Sequence, residues 1–539
     1  MSASARSTIK AWVSPSELAG MLEDGDELAL LDVREEGVFS RGHLLFAVPL
    51  PLSRLEERLP LLVPRTGTRI VLCDGDDGLA DRAAARMTGF GYKDVRGLRG
   101  GIEAWKQAGY HVFSGVNVPS KAFGELVEEH CKTPRMEAAE VKQRIADGED
   151  MIILDSRPLR EFRNMSIPGG IDCPGAELVY RAPGLIPTPD TLVVVNCAGR
   201  TRSIIGAQSL INAGLPNRVV ALKNGTMGWE LAGFELARGR DTTAPSPTGT
   251  GLAATRAMAA EVERRFKLRR IGRTELDRFR AEADQRTLYI FDVRTPEEFS
   301  AGHVAGATSA PGGQLVQATD GFIGTRNARV VLADDQGVRA VMTASWLVQM
   351  GMPDVYVLDE GDAGRELVAG AAAPVPLGLA QAQAETVTPA ELAQLLQDGT
   401  AALVDIGSSL QFRDAHIPGA HWAIRSRFPA NLGKLPRSGL LVITSPDGVA
   451  ARLAAAEAAA VFPGKVKTLA GGTAAWRAEK RPLASGFEPA LDAPDDVWHG
   501  PYSPFANTIE AKRQYLSWEV DLLSSMEAEP GLRFHVGPA

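Results

Sequence analysis

At 539 residues the chain is too long for one hydrophobic core, and 45% apolar with 23% charged residues excludes a disordered or fibrous protein. A formal net charge of −8, with no long run of Lys or Arg, excludes a phosphate-tracking nucleic-acid surface. Four cysteines, none in a CxxC pair or a zinc-type cluster, exclude a disulfide scaffold and leave any thiol chemistry to single residues.

The opening "MSASARSTIKAWVSPSEL" has no apolar core of signal-peptide length, and nowhere do about eighteen apolar residues run together. A cytoplasmic protein with no membrane and no nucleic-acid partner is expected. From Glu27, "ELALLDVREEGVFSRGHLLFAVPLP" runs through an apolar stretch to Asp32, an aromatic at Phe39 and a turn at His43. A second apolar run, "RIVLC", ends at Cys73; an alanine-rich stretch with helical spacing and the segment "DVRGLRGGIEAW", ending at Trp105, follow.

The same order recurs three times. After "SKAFGELVEEHCKTPRM", a helix-like joint, the second copy has Asp155, Phe162, the run "LVVVNC" ending at Cys197, and Trp229. "TTAPSPTGTG", residues 242 to 251, reads as a plain linker, and the third copy then presents Asp292, Phe299, His303 and "RVVLAD", ending at Asp334. Beyond a second linker, "AGAAAPVPLG", the fourth copy has Asp405, Phe412, His416, "LLVITS" ending at Ser445, and Trp476. The tail from residue 486 carries Tyr515, Leu516, Trp518, Leu522 and Leu523, too apolar to leave in water, and is expected to be a helix docked on a neighbour.

Short apolar strands alternating with helices imply parallel βαβ units, each an α/β domain of roughly 100 to 120 residues. The expected boundaries are 10–116, 130–238, 265–370 and 385–485, with a docking tail over 486–539. Ligands of such sheets bind beyond the carboxyl ends of the strands, where the next helix points its N-terminus. Cys197 stands at that junction, followed by "AGRTRS". Inward backbone N–H groups of Ala198, Gly199, Arg200, Thr201 and Arg202, the helix start near Ser203, and the charges of Arg200 and Arg202 would all favour thiolate over thiol. A buried structural cysteine would need none of these neighbours.

The strand-end "LDVR", "LDSR", "FDVR" and "VDI", the turns "GHVAGA" and "HIPGA", the loop "CAGRTR" and the closing "GGIEAW" and "GGTAAW" resemble the rhodanese sulfurtransferases over about residues 10 to 485. The resemblance implies four tandem rhodanese-like domains, each a parallel β-sheet flanked by helices. It also implies that Cys197 takes a sulfane sulfur, becomes a persulfide and yields the sulfur to a thiophilic acceptor. From Cys197 to Arg202 the loop is C-x4-R, one residue shorter than the C-x5-R of related phosphatases and arsenate reductases, which favours sulfur over a phosphoryl group.

The small-molecule partners implied are an anionic donor, thiosulfate or a persulfide, and a thiol or cyanide acceptor. No metal and no organic cofactor is implied. A carrier or scaffold that hands sulfur to a protein partner is the second reading. The two differ in whether the mouth around Cys197 is open to small molecules or roofed to fit a partner.

The other copies read as weak or inactive. Cys73 is followed by Asp74, Asp76 and Asp77. Like charges about 4 Å apart repel by about 4 kcal/mol at an effective dielectric near 20, which would raise its pKa. Asp334 and Ser445 cannot form a persulfide. His43, His303 and His416 are expected to brace turns, and Ser166 replaces them in the second copy. Cys173 could approach Cys197 as a resolving thiol, and Cys131 is expected to be inert. Asp155 and Arg157 should form a structural pair near the site, with donor contact the alternative for Arg157. Arg160 and Glu161 read as solvated helix residues, and Trp105, Trp229 and Trp476 as core.

Overall fold

Each repeat builds a sheet of five parallel strands whose order across the sheet, counted along the chain, is 1-5-4-2-3. The computed structural model describes residues 9–359, 367–371, 375–436, 438–526 and 529–538. Strands two and four of the sheets are the apolar runs: Ala29–Asp32 beside Arg69–Cys73, Met151–Asp155 beside Leu192–Asn196, Leu288–Asp292 beside Arg329–Ala333, and Ala401–Asp405 beside Leu440–Thr444. Val, Ile and Leu dominate these runs because helices cover both faces of each sheet. Parallel neighbours need a crossover, and the amphipathic stretches supply it as Leu79–Gly89, Thr201–Asn212, Arg339–Gln349 and Val449–Ala459.

Register identifies the residue at the head of each loop. Asp32 pairs with Cys73, Asp155 with Asn196, Asp292 with Ala333, and Asp405 with Thr444. The next residues are therefore Asp74, Cys197, Asp334 and Ser445. This corrects the reading of the first copy: Cys73 is the last residue of its strand, and Asp74 holds the nucleophile position. A carbonyl contact repeats the assignment, because Asp74 O accepts from Ile102 N, Cys197 O from Thr226 N and Ser445 O from Thr473 N. At each, a glycine of positive φ lies so close that a Cβ would sit 2.5, 2.3 or 2.1 Å from that carbonyl oxygen, for Gly101, Gly225 and Gly472 respectively.

The histidines brace their turns. His43, His303 and His416 stack on Phe39, Phe299 and Phe412 at 3.8, 3.7 and 3.9 Å, with Nδ1 on a main-chain carbonyl. Burial pushes His43 down to about 4, so it stays neutral there. Trp105, Trp229 and Trp476 are core residues, each donating Nε1–H to the carbonyl that closes its repeat.

The repeats pack on one another rather than stand as beads. The second and third share one apolar core, in which Trp346 of the third donates to Ser209 Oγ of the second at 2.9 Å. Arg339, fully buried, reaches Glu298 at 2.8 Å, Glu177 of the second repeat at 3.1 Å, and Asp335 at 2.5 Å. The first and fourth meet through Arg425, held by Glu56 at 2.9 Å, and through Ser426, which donates to Glu35 at 2.7 Å. Residues 242 to 251 are not a plain linker: Ala244 is buried and donates its N–H to Asp172 O, and Gly249 begins the helix Gly249–Arg265. The linker near 369 lies partly outside the described residues, as does the third repeat's "DEGDAGREL". No described helix is long and apolar enough to cross a membrane.

Replacing Arg339 with Ala removes a fully buried cation from Glu177, which keeps Arg181, and from the part-exposed Glu298 and Asp335; removal of one partner from a buried ion pair typically costs about 3–5 kcal/mol. Arg339→Ala is expected to lose about that much in the unfolding transition of the second and third repeats, measured in urea.

Candidate active site

Cys197 follows directly on the strand Leu192–Asn196 and precedes the helix Thr201–Asn212, so it sits at the carboxyl edge of its sheet. Its side chain is almost wholly enclosed, the residue being 2% exposed. The Sγ–H donates to Ser203 Oγ at 3.4 Å, and the Ser203 hydroxyl donates to Arg200 O at 2.8 Å, tying the loop into one turn.

The three sister loops display what this turn holds. In the third repeat the Asp334 carboxylate accepts from the backbone N–H groups of Gly337 at 2.6 Å, Arg339 at 2.8 Å and Ala340 at 3.2 Å. In the first, Asp74 accepts from Asp76 N and Ala80 N, both at 2.9 Å. In the fourth, Ser445 Oγ accepts from Ala451 N at 3.2 Å. A ring of inward N–H groups at a helix start is an anion cradle. Two of the repeats fill it with their own carboxylate and one with a hydroxyl. Only the second repeat places a sulfur there.

The two arginines of the loop part company. Arg202 is the positive group that most favours the Cys197 thiolate; both its Nη groups bind Glu161 at 2.8 Å, and Nη1 also reaches Gln314 of the third repeat at 3.3 Å. Glu161 is therefore an ion-pair partner, not the solvated residue its helix position suggested. Arg200 turns away from the sulfur and is buried against Glu125, at 2.8 Å through Nε, and against Glu128. The expectation that Arg200 stabilises charge at sulfur fails, because those carboxylates already neutralise it; it anchors the loop to the helix Val118–Cys131 instead.

Burial is the largest influence on the Cys197 thiol and pushes its pKa up; Arg202 and Ser203 oppose that, and Glu519 adds to it. The expectation of a thiol lowered on every side is thus corrected: enclosure outweighs the charge. Arg157 is fully buried and gives Nε and Nη2 to Asp155 at 2.8 and 2.7 Å and Nη2 to Met165 O, the structural pair expected, with Nη1 lacking a partner. Asn196 closes the set by donating to Asp155 at 2.7 Å.

Among the remaining thiols, Cys73 and Cys173 are fully buried and pushed well up by burial. Cys73 gives its S–H to Leu31 O at 3.5 Å. Cys173 lies in the apolar core shared by repeats two and three, which suits packing rather than a resolving role. Ser166, in the histidine position, is buried and pairs by its backbone with Ala237.

The roof of the site comes from segments that no motif marked. The tail helix Ile509–Asp521 lays Tyr515 and Glu519 over Gly199; a Cβ on that glycine would meet Glu519 Oε2 at 3.0 Å and the Tyr515 ring at 3.3 Å. Tyr502 hydrogen-bonds Thr226 at 3.0 Å, and Lys121 donates to Tyr515 OH at 2.9 Å while facing the rings of Trp498, Tyr515 and Trp518. The docked helix expected from Tyr515, Leu516, Trp518 and Leu522 is present, and its neighbour is the Cys197 loop.

Comparison with known proteins places this architecture. The rhodanese-like domain model matches residues 14–108, 137–232, 274–363 and 388–479. A crystal structure of thiosulfate sulfurtransferase from Pseudomonas aeruginosa is 44% identical, superposes with a TM-score of 0.94, and is matched over 98% of this chain and 100% of that one. The uncharacterized protein slr1261 of Synechocystis is 33% identical over 108 residues, 20% of this chain and 58% of the relative. The uncharacterized protein YqhL of Bacillus subtilis is 34% identical over 76 residues, 14% of this chain and 59% of the relative. The chain thus spans little more than half the length of those two. With every repeat matched and a full-length structural relative at that identity, the chain belongs to the rhodanese family.

Proposed function

We propose that the protein is a sulfurtransferase that works through one cysteine, Cys197, with the persulfide of that residue as its only covalent intermediate. The observation that carries this reading is the loop position: where the sister loops aim backbone N–H groups at Asp74, Asp334 and Ser445, the second repeat places the sulfur of Cys197. Cys197 thiolate attacks the outer sulfur of the donor, the donor's S–S bond breaks, and the leaving group departs with the bonding pair. An acceptor nucleophile then attacks that sulfur and restores the thiolate.

Arg202 beside Cys197 suits an anionic donor, thiosulfate or a small persulfide, and the Pseudomonas aeruginosa relative bears the name thiosulfate sulfurtransferase. The acceptor is a thiol in the cell and cyanide in the assay. Enclosure of Cys197 favours small substrates over a docked protein. A cytoplasmic setting, where thiols stay reduced, suits chemistry that runs through a free thiolate. The third repeat serves as a packing module on the second, and the first and fourth pack on each other.

Intact-mass spectrometry after thiosulfate, and separately after glutathione persulfide, tests the reading. One added sulfur is expected on the wild type and on Cys73→Ser, none on Cys197→Ser, and discharge by cyanide or a thiol; no gain from either donor overturns it. Loss of a preorganised charge at such a centre typically costs 10²–10³ in rate. Arg202→Gln is therefore expected to slow loading from thiosulfate about 100-fold, whereas Arg200→Gln lowers the melting temperature with a smaller loss of loading rate. Because burial holds the thiol above its ordinary value of about 8.5, alkylation of resting Cys197 by iodoacetamide should keep rising with pH beyond that value.

A further inference from the structure

One carboxyl group at the catalytic loop, Glu519, comes from outside the four repeats. Glu519 is 2% exposed, yet only one of its oxygens is occupied. Oε1 accepts from Tyr515 OH at 3.0 Å and from Thr201 Oγ1 at 3.4 Å. Behind it, Lys121 Nζ donates to the same Tyr515 hydroxyl at 2.9 Å, so a relay from Lys121 through Tyr515 fixes the orientation of the carboxylate. Oε2 has no hydrogen-bond partner and points at the Cys197 loop, 3.0 Å from where a Cβ of Gly199 would stand.

A buried, unpaired carboxylate oxygen costs free energy of several kcal/mol unless something meets it. Here it also acts against the donor chemistry, since a negative charge repels an anion arriving at Cys197. A hydrogen-bond donor would satisfy it, and the second half-reaction brings one: a thiol, which carries a proton near neutral pH and must lose it to become a nucleophile.

We propose that Glu519 is the general base for sulfur acceptance, and that the acceptor this site takes is a small uncharged thiol. The inference rests on the Cys197 persulfide reading above. The acceptor S–H gives its proton to Glu519 Oε2, and the thiolate attacks the outer sulfur of the Cys197 persulfide. An S–S bond forms to the acceptor while the Sγ–S bond breaks, its electron pair returning to Sγ. The proton on Glu519 then passes to the Cys197 thiolate, which resets both groups, and no external oxidant or reductant is consumed. The groups around the carboxyl fit the role: burial raises its pKa above the ordinary carboxylate value, Lys121 and Arg200 hold it back, and Glu125 and Tyr515 complete the charged and titratable neighbours.

Single-turnover discharge separates this role from a structural one. Wild type, Glu519→Gln and Glu519→Asp are loaded with thiosulfate or glutathione persulfide, freed of excess donor, and discharged with 2-mercaptoethanol or with sulfite, which attacks through sulfur and, in alkaline solution, has no proton to lose. General bases contribute typically 10²–10⁴-fold. The ratio of the thiol rate to the sulfite rate is expected to fall about 100-fold in Glu519→Gln and less in Glu519→Asp, with the deficit closing as pH passes the pKa of the thiol. Sulfite discharge itself accelerates, because a repelling charge is gone. An unchanged ratio, whether both rates fall together or neither moves, overturns the proposal. A wild type that takes up no sulfur fails the sulfurtransferase reading instead, a result distinct from a wild type that loads and a Gln variant that discharges normally.

Discussion

Everything at the Cys197 site depends on backbone N–H groups that must find an acceptor. A parallel sheet delivers the chain to a helix start, and the turn between them points several donors at one spot. Left empty of any acceptor, such donors are costly to bury. The chain answers this in three repeats with a side chain of its own, Asp74, Asp334 or Ser445. In the second repeat the residue is Cys197, whose neutral thiol is a weak acceptor, so donors at this position gain more from an anion carried on, or brought to, the sulfur. The side chain at this one loop position thus distinguishes the second repeat from its sisters, although the loops also differ in their cap residues, from Gly78 and Gly448 with positive φ to Arg200 and Val338 with negative φ.

The rest of the molecule acts on that loop from outside the repeat. Arg200, directed into Glu125 and Glu128, fastens the loop to the helix between the first two repeats. Arg202 is held by Glu161 and touched by Gln314 of the third repeat. The tail closes the top with Tyr515 and Glu519. Because long-range ion pairs and packing fix these pieces, the orientation of each charge is determined by partners tens or hundreds of residues away in the chain. Those partners account for two arginines two residues apart having opposite roles.

The repeat, the parallel sheets and the loop holding Cys197 were legible because they rest on local signals: apolar runs of Val, Ile and Leu, alanine-rich helices, and recurring motifs such as the closing GG before Trp. Sequence places Cys73 at or near the nucleophile position of the first repeat, and the structure puts Asp74 there. "RIVLC" offers a cysteine at the end of an apolar run, and only the pairing of Asp32 with Cys73 reveals that the strand extends through it. Arg200 was misassigned because its spacing from Cys197 is local while its partner Glu125 is not. Glu519 carried no signal of its own, since the tail belongs to no repeat; the apolar Tyr515, Leu516 and Trp518 beside it predicted docking but not on what.

Enclosure shifts the chemistry as much as charge does. Burial pushes the Cys197 thiol up, against Arg202 and Ser203, so the resting sulfur is protonated and a poor target for oxidants, which attack thiolates. The same low-dielectric surroundings strengthen every fixed dipole and charge that meets the sulfur once it is anionic. An exposed cysteine on the same loop would ionise more easily but would gain less from the cradle and would share it with water. Roofing the loop with a tail from the far end of the chain therefore exchanges a reactive resting state for a stronger grip on the charged intermediate. That exchange is consistent with a ring of N–H donors that its sister loops keep permanently filled.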